Sequence, residues 1–60
     1  MQMYVVEIYP LLDGVERPQP TKRINVGVFL GLAREQLRGL AAEHAPSGAR
    51  LVDQDGRIVG

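Results

Sequence analysis

The sequence predicts a small α+β domain in the order strand, strand, helix, strand, strand: an antiparallel sheet of about four strands with one helix packed on one face. Two observations carry that prediction. Asp13-Gly14 lies directly between apolar residues, as the turn of a β-hairpin does, and Asp53-Gln54-Asp55-Gly56 suits the turn of a second hairpin between Leu51-Val52 and Ile58-Val59. Between them lies one apolar stripe at helical spacing. Sixty residues allow a single domain, 1–60, and a helix set against one face of an antiparallel sheet is the natural packing for this element order.

The first strand is read in "MYVVEIYPLL", which is β-branched and aromatic. Asp13-Gly14 then supplies the two positive φ angles of a two-residue turn, pairing Leu12 with Val15 and laying "RPQPTKR" beside Val6 to Pro10. Pro18 and Pro20 cannot donate to a ladder, so this return segment is either an irregular edge strand or a long loop closed by a short strand near Lys22 to Val26. Strict pairing from the turn sets Arg23 across from Tyr4, and a bulge is required to bring Ile24 to the buried side.

The helix is marked by Leu30, Ala33, Leu37, Leu40, Ala41 and His44, one apolar face at three- and four-residue steps, ended by Pro46 and Gly48. Its start has two readings. Asn25 caps a helix from Val26, with Ile24 and Phe29 as hydrophobic staple, or "RINVGV" finishes a strand and the helix runs from about Phe29 to Ala45. The β-branched residues favour the second. Leu37 and Leu40 are the expected core anchors, against Val6 and Ile8. The last segment, "ARLVDQDGRIVG", is a second hairpin in which Val52 faces Ile58, Leu51 faces Val59 and Asp53 lies across from Arg57.

Strand alternation then sorts the side chains. Tyr4, Val6 and Ile8 point one way; Met3, Val5, Tyr9 and Leu11 point the other, interrupted by Glu7. A strand apolar on both sides belongs to a sheet covered on both sides, and one helix covers one. A second copy of the chain is the simplest cover for the remaining face. Size points the same way: a chain this short buries only about 60% of its unfolded surface, and small domains usually add disulfides, a metal or an oligomer. Cysteine is absent and His44 is the one histidine, so neither disulfide nor metal is expected, and association remains.

Seven basic and seven acidic residues balance, so no whole-molecule field draws nucleic acid or anionic lipid. No apolar run approaches the roughly 18 residues of a membrane span, and "MQMYVVEIYP" lacks the basic start of a signal peptide. A cytoplasmic location is expected. "DQDG" at Asp53 to Gly56 resembles half a calcium loop, but Leu51 would occupy the first ligand position and no glutamate follows, so turn chemistry is the better reading. His44 has only Ser47 and Thr21 as candidate hydroxyl nucleophiles, Glu7, Glu35 and Glu43 form no locally spaced pair, and no glycine-rich turn delivers Lys-Ser or Lys-Thr to a helix start. No catalytic residue, cofactor, metal or small-molecule substrate is therefore expected.

The expected function is that of a non-enzymatic protein-interaction module, homodimeric through the sheet face, with Met3, Val5, Tyr9, Leu11, Arg17, Lys22 and Arg23 as partner-binding residues and another protein as a further partner. The alternative is a small nucleic-acid-binding module using the basic 17–23 segment with Arg34 and Arg38. A third reading is a fragment whose longer parent supplies the missing cover. In size and style the chain resembles the small accessory and inhibitor proteins of phages and mobile elements, without a family motif to carry the resemblance.

Overall fold

The computed structural model describes residues 3–60. Strand β1 (Val5–Tyr9) lies at the centre of a three-stranded antiparallel sheet, between β4 (Lys22–Asn25) and β5 (Gly48–Val52). A short hairpin of β2 (Leu11–Leu12) and β3 (Val15–Glu16) projects from the end of β1, and helix α1 (Leu30–Glu43) crosses one face between β4 and β5. The Asp55-Gly56 hairpin has a reduced second arm, which meets β5 in a single bridge between Val52 and Ile58. The predicted α+β fold is present, with that bridge in place of a full fourth strand.

The first turn forms as its residues dictate. Asp13 (φ 53°) and Gly14 (φ 75°) both occupy the left-handed region, and Leu12 pairs with Val15. Strict continuation from this turn would set Thr21 opposite Val6, yet Ile24 stands there. The extra residues lie in the excursion Arg17 to Thr21, which holds both prolines. Its ends are tied by the Arg17 amide on the Pro10 carbonyl (2.9 Å) and the Thr21 amide on the Ile8 carbonyl (2.8 Å). An odd shift in register exchanges the two faces of a strand, so this excursion turns Ile24 toward the helix and Arg23 away from it. Both readings of the segment are partly realised: a proline loop, then a short edge strand.

The core gathers on the helix side of the sheet. Val6, Ile8, Val26, Ala33 and Leu51 are buried, with Tyr4, Ile24, Leu30, Leu37, Leu40 and Val59 packed around them. The helix starts after Phe29, which takes an extended backbone and provides no side-chain cap. Asn25 instead accepts the Gly27 amide on Oδ1 (2.8 Å), in a turn that separates strand from helix. No Ile24–Phe29 staple forms there, because the helix begins four residues beyond Val26 and leaves Phe29 66% exposed. Ala33, rather than a leucine, is the fully enclosed helical residue; the leucines pack beside it at partial burial. The helix lies over β1 and β5 rather than β4. At the far end Asp53 organises the last turn, its Oδ1 accepting the Asp55 and Arg57 amides at 2.9 Å each, with Gly56 at φ 81°. Among the described residues, no helix is long and apolar enough to cross a membrane.

Candidate interaction surface

The face of the sheet opposite α1 is built in rows across the three strands. Register places Val52, Val5 and Asn25 in one row, Arg50, Glu7 and Arg23 in the next, and Gly48 beside Tyr9 in the third. Val5, Glu7, Tyr9 and Val52 floor an open groove on this face, with the Asp53 to Gly56 turn as one wall and Arg23 and Asn25 as the other.

The centre of this face departs from the expected apolar surface. Glu7, read from sequence as an interruption, is 7% exposed and sits at the middle of a polar network. Its Oε2 accepts from Arg23 at 2.9 Å, and its Oε1 accepts from the Tyr9 hydroxyl at 2.9 Å. The Arg50 guanidinium stacks on the Tyr9 ring, with its Cζ 4.2 Å from the ring centroid, and reaches on to Glu16 of the hairpin. Arg23 is largely exposed, so its ion pair contributes at most about 1 kcal/mol. The hydrogen bond to the enclosed end of Glu7 is the stronger contact, since bonds to charged groups contribute about 1.5–3 kcal/mol. The middle of the sheet's outer face is therefore polar, with Glu7 at its centre.

Apolar surface remains at the ends. Val52 is buried, but Met3 (49%) and Ile58 (65%) are exposed around Val5 at one end. The predicted partner-binding residues accordingly separate. Met3 and Val5 lie at that end, with the Asn25 amide 3.2 Å from the Met3 sulfur. Tyr9 is half-buried within the polar network. Leu11 has left the sheet for the projecting hairpin, where it pairs with Glu16. Arg17 is exposed in the proline loop, while Lys22 and Arg23 lie on the edge strand with side chains on opposite faces. Glu7, Glu16, Arg50, Val52 and Ile58 were not among the expected site residues. Arg50 and Val52 join this surface through the long-range pairing of β1 with β5, and Glu16 through Arg50, contacts that local sequence patterns do not reveal; Ile58 follows Val52 through the expected hairpin.

The basic residues do not form one stripe. Arg34 donates through Nε and Nη2 to the Val59 carbonyl (3.3 and 3.1 Å), beside β5, whereas Lys22 and Arg23 lie on β4 at the opposite edge. Comparison with protein-family models, curated proteins and solved structures finds no significant match.

Proposed function

We propose that this chain is a non-catalytic protein-interaction module that pairs with a second copy of itself across the outer face of its sheet. The carrying observation is the one-sided architecture: α1 covers one broad face, whereas the second is met only at its Gly48 corner, by the Glu16 side chain, among the described elements. The molecule is a slab of 38 × 21 × 14 Å.

The chemistry of the face suits closure on itself. Arg23 and Arg50 each have a carboxylate partner within the protomer, so the interface would enclose neutral pairs rather than bare cations. A two-fold axis near Glu7 lays the Leu11 end of one protomer over the Met3 and Ile58 end of the other. Such an axis repeats each contact twice.

Sedimentation equilibrium tests the reading. Twice the chain mass is expected at micromolar concentration, with Ile58→Glu returning the protein to a monomer of unchanged fold, because Ile58 is already exposed in the single chain. A monomer persisting to hundreds of micromolar overturns it.

A further inference from the structure

We infer that the free edge of β4, with the flank of α1 above it, is a second binding site that takes an extended, acidic and apolar peptide segment of another protein as an added strand. The site lies along the edge beside the outer face, shares Arg23 with it, and does not depend on pairing there.

Three features define it. The first is the backbone. The Val26 amide donates to the Tyr4 carbonyl at 3.0 Å, and antiparallel alternation from that bond turns the main-chain groups of Ile24 and Lys22 toward β1. Those of Arg23 and Asn25 then point away from the sheet, offering two donors and two acceptors at the spacing a new strand needs. The second is the shape of the flank. Because α1 lies over β1 and β5, Ile24 is only partly buried on the helix side of β4. Gln36 donates to the Val26 carbonyl at 3.4 Å, which fixes the helix side facing this edge. Leu32 lies one turn before Gln36 on that side, and Phe29 precedes the same turn. They are 55% and 66% exposed, the two large apolar side chains the helix segment leaves outside the core. Leu32 and Phe29 form an apolar wall above an open strand edge.

The third feature is charge, and it selects the occupant. Lys22 and Arg23 are successive residues of the edge, Lys22 on the helix side and Arg23 on the outer side, where it already holds Glu7; Arg17 is exposed in the loop that leads to the strand. A second copy adding its own β4 would bring these cations together across the new ladder, and directly opposed like charges destabilise a pair. A strand with carboxylates meets them favourably. Alternation sends its apolar residues beside Ile24, Leu32 and Phe29, and its acidic residues toward Arg23 on the outer side. Glu43, at the far end of this helix flank, favours a neutral residue at the matching end of the peptide.

The test is an amide-resolved NMR titration of the full chain with capped peptides of alternating Glu and Val, of alternating Lys and Val, and of the Glu-Val sequence with a central proline. The Glu-Val peptide is expected to bind saturably and to slow hydrogen exchange at the Arg23 and Asn25 amides. The Lys-Val and proline peptides are expected to bind at least tenfold more weakly. Arg23→Gln, on the side the carboxylates take, and Leu32→Ser, both at exposed positions, should each weaken binding at least fivefold, while Ile58→Glu should leave it unchanged. Equal binding of the Glu-Val and Lys-Val peptides, shifts confined to Val5, Tyr9 and Val52, or no saturation at millimolar peptide each overturns the proposal. So does a single-stranded oligonucleotide that displaces the peptide and binds more tightly, since it would assign the edge to phosphates instead.

Discussion

Arg50 lies over the ring of Tyr9, its guanidinium carbon 4.2 Å from the ring centroid, and bonds Glu16 of the hairpin. These residues come from β1, β3 and β5, so one guanidinium ties the projecting arm to the sheet. Lysine keeps the charge but lacks the plane that stacks on an aromatic ring while pairing with a carboxylate. Arg50→Lys should therefore loosen the arm selectively. Hydrogen exchange is expected to accelerate at Arg17, whose amide bonds the Pro10 carbonyl, while Val6 and Ile8 remain protected.

Gly48 stands opposite Tyr9, and a Cβ placed on it would meet the Glu16 carboxylate. The clash is with the end of a flexible side chain, so Gly48→Ala should displace Glu16 from Arg50 rather than break the strand. The expected loss is about 1 kcal/mol or less, the scale of an exposed ion pair. In a Glu16→Ala background the same substitution should be neutral or slightly stabilising, since alanine in a strand costs less backbone entropy than glycine. Chemical denaturation of the four-variant cycle gives the coupling directly.

Glu7→Val replaces a buried carboxylate by an apolar residue suited to a strand. It removes the Arg23 pair and the acceptor of the Tyr9 hydroxyl, but Arg23 is already solvated, and buried ion pairs exchanged for apolar side chains often leave stability little changed. The thermal midpoint should stay close to that of the parent chain. Association should rise, because Val5, residue 7 and Tyr9 then form an unbroken apolar line. Light scattering against concentration checks this.

On the helix, Ala33 is completely enclosed, Leu37 packs against the core at partial burial, and Leu32 is 55% exposed. Ala33→Leu should cost about 1–3 kcal/mol by overpacking. Leu37→Ala should cost about 2 kcal/mol, toward the low end of leucine truncations because the side chain is only partly buried. Leu32→Ala should change stability by no more than about 0.5 kcal/mol. Urea denaturation of the three variants tests the assignment of the helical face.

Local patterns in the sequence determined much of this protein. Asp13-Gly14 set a turn with two positive φ angles, Asp53 to Gly56 set the second, and the spacing from Leu30 to His44 set one helix with its inner face. Each depends on neighbours a few residues apart, where backbone sterics and side-chain periodicity act directly. The pairing of Val52 with Ile58 follows for the same reason.

Tertiary structure decided what the outer face became. By parity Glu7 interrupts an apolar row, but in the folded chain it is the buried centre of that row, because β4 and β5 bring Arg23 and Arg50 to either side of it. Those neighbours lie 16 and 43 positions away in the chain. The length of the proline excursion chose between Ile24 and Arg23 for the core, and the offset of α1 toward β5 left Leu32 and Phe29 beside an open edge. None of these outcomes is written in a local repeat. They come from closing loops between distant segments, where the packing of Val6, Ile8, Ala33 and Leu51 selects the register and the surface follows from it.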